Sequence, residues 1–354
     1  MWGYKKRLVS RGKAGVLMPR ESASRCGQYP IGDFAKGMRP GYVEIRVNGV
    51  DADIGGVVTC GSVWVCAVCA HKIAGVRRRQ VRKLLLAHKN VGGAVYMATL
   101  TMPHHVYQNP KLLRQGISAA FRNVLLGRER VREWERAGVV GFVRALEVTH
   151  GPNGWHPHLH VLWFFENNNP FAAAAFGKWL WRRWSRSIEG LGFGKCSRKA
   201  WRFDPVRTLE QAGEYVVKGG EAWEITHAHL KDGRDGHRSP FQILSDVCLH
   251  DPGSDGALFR QYAAAFKGAH QLTWSCGLRE RYDFDDISDQ EVVARGALEM
   301  RVLMLLSYRG FEMVIARGLE VDLMEVAAGG NFVSVAAFLA AHGVYMWHLR
   351  APDG

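Results

Sequence analysis

An α+β fold built on an antiparallel sheet is predicted by three features of the sequence. Between residues 94 and 206 the apolar pattern alternates between the two-residue repeat of strands and the 3.6-residue repeat of helices. The segments run β-α-β-β-α-β, the order of a ferredoxin-like or RRM-like antiparallel sheet with helices. A cysteine cluster precedes this region and an acidic, mostly helical segment follows it. At 354 residues the chain is long enough for two or three domains. Three blocks are expected: 1–92, a cysteine module with a hairpin and a basic helix; 93–282, the sheet domain; and 283–354, a small helical region.

Each element follows from its local chemistry. Tyr42 to Val47 and Ala52 to Val58 flank Asn48-Gly49, a hairpin signal. Ala70 to His88 is a helix with Ile73, Val76, Val81, Leu84 and Leu85 on its apolar side; Lys72 to Lys89 holds seven Lys or Arg and no acid. Ala94 to Met102 is rich in strand formers and stops at Pro103. Lys111 to Leu126 is helical and is expected to continue to Ala137. Val139 to Thr149 and Pro157 to Phe165 are strands around a Pro152-Asn153-Gly154 loop. Phe171 to Ile188 is a helix, Ala200 to Val206 a strand, and Thr208 to Lys218 a helix stopped by Gly219-Gly220. In the last block, Val302 to Val314 and Phe332 to Leu339 carry helical periodicity.

Charge narrows the function. Lys and Arg total 47 against 33 Asp and Glu, a net +14. Residues 283–354 hold eleven acids and five bases, a net −6, so residues 1–282 carry +20. A basic body of that size favours a polyanion, most simply nucleic acid. A hydrophobic fraction of 47% excludes a mostly disordered chain. No apolar run reaches the roughly 20 residues of a membrane span, and Met1 to Arg25 has no apolar core of a secretory signal. Seven unevenly spaced cysteines fit a metal site in a reducing cytoplasm better than a disulfide framework.

The sharpest pattern is Gly154-Trp155-His156-Pro157-His158-Leu159-His160-Val161-Leu162. Strand alternation puts His156, His158 and His160 on one face and Leu159, Val161, Trp163 and Phe165 on the other, suited to packing under helices. Adjacent imidazoles are costly as core and sensible as metal ligands. Counting back from the loop, Glu147 falls opposite His158 and competes with His156 as third ligand. A carboxylate better matches a hard cation such as Mg²⁺ or Mn²⁺ beside a phosphate, and Pro157 is expected to turn His156 out of strand geometry. In Glu214-Tyr215-Val216-Val217-Lys218, Tyr215 and Lys218 sit together on a helix away from the apolar stripe of Leu209, Ala212 and Val216. A tyrosine near a metal-bound phosphate is a candidate nucleophile, and Lys218 a candidate phosphate-positioning group.

Cys60, Cys66 and Cys69 include a C-x-x-C unit and read as a structural Zn²⁺ site, with Cys26 as fourth ligand and His71 as the competitor. Cys196, Cys248 and Cys276 are expected to be buried thiols. Lys178 to Arg202 holds eight bases and one acid among Trp179, Trp181, Trp184, Phe193 and Trp201, a candidate nucleic-acid surface in which some tryptophans must be core. Gly190 to Ser197 is no phosphate loop, because residue 189 is Glu where that pattern needs Gly; unwinding would fall to a separate helicase.

On these motifs the sequence resembles the HUH-superfamily endonucleases, specifically single-tyrosine rolling-circle replication initiators (Rep proteins) of bacterial plasmids. Thr99-Leu100-Thr101-Met102-Pro103 matches the family's first motif, His158-Leu159-His160 its metal motif, and Tyr215 with Lys218 its nucleophile motif, in the family's order. The resemblance covers about residues 60–280. It implies an HUH endonuclease fold and metal-assisted nicking of single-stranded or hairpin origin DNA. Tyr215 would keep the 5′ end as a phosphotyrosine and free a 3′-OH for a host DNA polymerase. Some such initiators use a glutamate near the tyrosine to activate water in the second step; here Gln211 lies one turn before Tyr215, with Glu210 and Glu214 offset from it. A single-tyrosine transposase or mobilisation relaxase shares this chemistry. A non-catalytic zinc-containing DNA-binding protein and a metal-dependent hydrolase of small phosphates are the competing classes.

Overall fold

The structure, a computed structural model, describes residues 4–31, 41–48, 52–206, 236–295, 300–329, 331–345 and 347–348. Helix α1 (Tyr4–Leu17) precedes strands β1 (Tyr42–Val47) and β2 (Ala52–Gly55) and the long helix α2 (Ala67–Asn90). Next come β3 (Ala94–Leu100), α3 (Pro110–Val124), α4 (Arg128–Ala137), β4 (Val139–Gly151), β5 (Gly154–Phe165), α5 (Pro170–Gly190) and β6 (Arg202–Pro205). They are followed by α6 (Pro240–Asp246), α7 (Gly253–Phe266), β7 (Leu272–Trp274), α8 (Leu278–Arg281) and α9 (Asp289–Arg295). The chain closes with β8 (Arg301–Ser307), α10 (Tyr308–Ala316), α11 (Glu320–Ala328), α12 (Phe332–Ala341) and β9 (Trp347–His348). Among the described residues no helix is long and apolar enough to cross a membrane.

Two compact units result. One comprises Met1–Ile73, Leu244–Gly253 and Ile287–Gly354; the other comprises Ala74–Ile243 and Ser254–Asp286. The second unit is built on an antiparallel sheet of order β6-β3-β5-β4-β7. From β3 to β6 the chain keeps the β-α-β-β-α-β order, with the first helical stretch broken in two. The single helix expected from Lys111 to Ala137 ends at Val124 and restarts at Arg128, because Gly127 has φ 86° and cannot continue a helix. Asn109 and Asn169 cap α3 and α5, each accepting from backbone N–H groups of the first turn, with proline at the next position.

The two faces of this sheet do different work. On one, Trp163 meets Phe121 of α3, Trp134 of α4 and Phe176 of α5, and Phe165 also meets Phe176. On the other, Leu162 and Phe164 join Val81, Leu84 and Leu85 of α2 with Val95, Val143, Ala145 and Leu278 in a buried cluster. The odd-numbered residues of β5 therefore hold the helical layer. The even-numbered ones pack under α2 at one end and present His156, His158 and His160 toward the hairpin end.

The first unit has a sheet of order β2-β1-β8-β9, all antiparallel. Here the expected helix from Val302 to Val314 is corrected: Arg301–Ser307 is a strand, and the helix starts at Tyr308. A short, unbroken apolar run does not distinguish strand from helix by periodicity. Pairing with β1 on one side and β9 on the other makes it a strand. Segments read from the sequence as first and last blocks thus share one sheet. They also share a core that includes Val43, Ile45, Met304, Leu306, Phe311, Leu323 and Leu339. A buried bidentate pair, Arg11 to Glu320 at 2.9 and 2.6 Å, ties α1 to α11. Strand β2 is shorter than expected, ending at Gly55, with Val57 bridged to Pro30.

Candidate metal centres

The hairpin of β4 and β5 pairs without a shift from Gly151–Gly154 to Gly141–Phe164, so register alone fixes which side chains meet. Glu147 lies directly opposite His158, Ala145 opposite His160, and Thr149 opposite His156. Nε2 of His158 is 3.2 Å, and Nε2 of His160 3.5 Å, from Oε2 of Glu147. One ligand atom from each of the three residues falls within 4.8 Å of the others, a group that could hold a metal ion.

The surroundings aim these side chains. Nδ1 of His158 lies 3.3 Å from the carbonyl of His156, which turns its Nε2 toward Glu147. The Thr99 hydroxyl meets Nδ1 of His160 at 3.3 Å across the β3–β5 register, turning that ring's Nε2 the same way. Burial alone would raise the Glu147 carboxyl, but the imidazoles of His160 and His158 outweigh it and hold it at about 2. Its Oε1 is buried and has no hydrogen-bond partner among the described residues. A buried carboxylate with an unspent lone pair, facing two imidazoles, fits a divalent cation well.

His156 is not part of that three-residue group. The expectation that Pro157 turns it out of the strand is corrected: His156 keeps its place opposite Thr149 and Pro157 its place opposite Val148. Strand β3 pairs with β5 only as far as Leu100–Leu159, so Pro157 sits where β5 has one neighbour, the setting in which a strand tolerates proline. His156 stacks on His104, with centroids 4.6 Å apart and planes at 13°. Burial, then the neighbouring His158 and His104, push its imidazole down to about 3. The segment after His104 passes close to Gly154, which has φ 86° and where a Cβ would stand 2.8 Å from Cα of Val106. Thr99 and His104 are the contributors that sequence reasoning missed as such. Thr99 stood inside the quoted first motif, and only the β3–β5 register shows its contact.

Cys26, Cys60, Cys66 and Cys69 converge in the first unit. Their closest sulfur separations are 3.4 Å (Cys26–Cys69), 3.6 Å (Cys26–Cys66) and 3.7 Å (Cys60–Cys69). Tetrahedral Zn²⁺ with Zn–S of about 2.3 Å needs sulfurs about 3.8 Å apart, whereas a disulfide needs about 2.05 Å. Cys26, the chosen fourth residue, belongs to this group and His71 does not. The three other thiols donate toward Cys26 and hold it low; the same contacts push Cys60, Cys66 and Cys69 up. A bound dication would supply the charge that lets all four be thiolates. The expectation for the remaining cysteines is corrected: Cys196 is partly buried, and Cys248 and Cys276 are exposed, because they follow α6 and β7 in connecting segments.

Tyr215, Lys218, Glu210 and Glu214, with the helix expected from Thr208 to Lys218, lie outside the described residues. The chain is described again from Gly236, and at Arg238 it exchanges backbone hydrogen bonds of 2.9 and 2.8 Å with His150 at the end of β4.

Fold and site together define an α+β protein with a four-cysteine centre in one unit and a His/carboxylate centre on the sheet of the other. Among curated proteins, the chain is similar to Protein rep of Streptomyces lividans, 25% identical over 349 residues, which cover 77% of this chain and 76% of that protein. It is also similar to the Neomycin resistance protein of Streptomyces cyanogenus, 27% identical over 132 residues, 30% of each chain. No family model matches, and no solved structure does.

Proposed function

We propose that the chain is a replication initiator with an HUH endonuclease fold that nicks single-stranded or hairpin origin DNA by tyrosine transesterification. The observation that carries this reading is the Glu147–His158–His160 group, three metal-type side chains held in register on adjacent strands. The distant relationship to Protein rep and the +20 charge of residues 1–282 support it.

In this reading the Tyr215 hydroxyl gives up its proton as its oxygen bonds to the scissile phosphorus, the P–O3′ bond breaks, and O3′ takes up a proton to become a free 3′-OH. The 5′ phosphate stays on Tyr215, and Lys218 positions it. Glu147, His158 and His160 would hold a divalent cation, Mg²⁺ or Mn²⁺, which when bound would offset the charge on the phosphate oxygens. Thr99 and the His156 carbonyl keep the two imidazoles aimed. Cys26, Cys60, Cys66 and Cys69 would hold Zn²⁺, which would organise the N-terminal module. Glu210 and Glu214 are the candidates to activate water in the second step. The free 3′-OH serves a host DNA polymerase, with strand opening left to a separate helicase.

The test is cleavage of single-stranded origin DNA with and without Mn²⁺. Cation-dependent nicking that leaves an extendable 3′-OH, lost in His158→Ala and His160→Ala, is expected. Equal cleavage by those variants, or none by the parent chain while it still binds the DNA, would point instead to a DNA-binding protein without this chemistry.

A further inference from the structure

A groove of about 510 Å³ runs beside α5, lined by Glu133 and Arg136 of α4, Lys178, Trp181 and Arg182 of α5, and Arg198. The sequence leaves open which tryptophans of this region are core, and the structure separates them. Trp179 and Trp184 are buried, whereas Trp181 is half-buried and lines the groove. The Arg198 guanidinium stands over the rings of Trp181 and Trp201, 5.1 and 5.9 Å from their centroids, and those rings are 5.4 Å apart. Two indoles thus fix the position of an exposed cation while its N–H edges stay available.

The charge balance is one-sided. Glu133 is engaged by Arg136 at 3.4 Å. Among the described residues no carboxylate pairs with Lys178, Arg182 or Arg198, all of which are exposed. Unneutralised cations lining a groove create a positive potential that a polyanion satisfies. A guanidinium fixed over aromatic platforms, among further exposed cations, matches the phosphates and bases of a nucleic-acid strand.

We propose that this groove binds the sugar–phosphate backbone of DNA as a second contact, apart from the His/carboxylate centre; the inference rests on the functional reading above and deepens it. Phe176 of α5 packs on Trp163 and Phe165, so α5 covers the face of β5 opposite to the one carrying His158 and His160. DNA in the groove is therefore not the segment being cut. The groove supplies affinity and salt dependence, while the other face supplies chemistry.

The experiment compares the full chain with a Lys178→Gln, Arg182→Gln, Arg198→Gln variant, measuring affinity for a single-stranded oligonucleotide across salt without added divalent metal. The slope of log K against log salt should become shallower by about 2, from about 0.7 per phosphate contact on a single strand. A control that removes the same charge elsewhere, Arg20→Gln, Lys111→Gln, Arg260→Gln, should leave the slope near the parent value. Both variants should keep the parent's melting temperature, because all six side chains are exposed. An unchanged slope in the groove variant, or an equal change in the control, overturns the proposal. So does polyglutamate competing as well as DNA at equal charge, which would assign the groove to an acidic protein. A parent chain that binds no DNA at all would instead overturn the functional reading itself.

Discussion

Glu147 is a buried carboxylate with one oxygen facing two imidazoles and the other without a partner among the described residues. Removing it takes away the hard ligand and the negative charge together, so Glu147→Ala should weaken Mn²⁺ binding by about tenfold or more. His156→Ala should cost less than about threefold, since His156 stands outside the group. Calorimetric titration of both variants checks this, and the reverse ranking would make His156 the ligand. His156 has its own signature. Its folded pKa, about 3, lies below the unfolded value of about 6.5, so the unfolded chain takes up the proton first. Its contribution is full above about pH 6.5 and declines as pH falls toward about 3, by at most about 1.4 kcal/mol per unit. Melting temperature without added metal should therefore fall less steeply between pH 7 and 5 in His156→Asn than in the parent; parallel profiles would contradict it. At this scale the sequence was informative where one hairpin sets the geometry. Counting back from Pro152-Asn153 placed Glu147 across from His158, the observed partner. Thr99 and His104 come from another strand and a loop, and no local pattern announces such contacts.

Among the elements, the β4–β5 hairpin and its capped helices were legible because period, turn and cap residues agree. The breaks were not. Gly127 divides a helix that its flanking residues would continue, and Arg301–Ser307 is a strand only because β1 and β9 pair with it. The cysteine cluster was legible in three of its members by spacing, while Cys26 required a guess about which distant thiol the fold returns. If the four sulfurs hold zinc, Cys66→Ser should reduce bound zinc from about one per chain to near zero and lower the melting temperature, because structural zinc contributes directly to folding. His71→Ala should retain the metal. Elemental analysis decides it, and full occupancy in Cys66→Ser would rule the cluster out as the zinc site.

On the scale of the whole molecule, the charge of residues 1–282, the His/carboxylate centre and the similarity to Protein rep all support the proposal that DNA is the substrate. Composition showed the basic body, but it could not show that the acidic C-terminal segment lends a strand to the N-terminal sheet. Long-range pairing of that kind has no signature in either segment alone. The central claim is that Tyr215 carries the DNA. Competing tyrosines differ in access: Tyr262 is fully buried with its hydroxyl pushed well up by burial, whereas Tyr107 is 97% exposed. The most direct measurement is peptide mass spectrometry of the full chain after reaction with single-stranded origin DNA and Mn²⁺. A nucleotide adduct on the peptide containing Tyr215, absent in Tyr215→Phe although that variant still binds the DNA, is the predicted result; an adduct on Tyr107 or another tyrosine, or nicking with no adduct at all, would contradict the account.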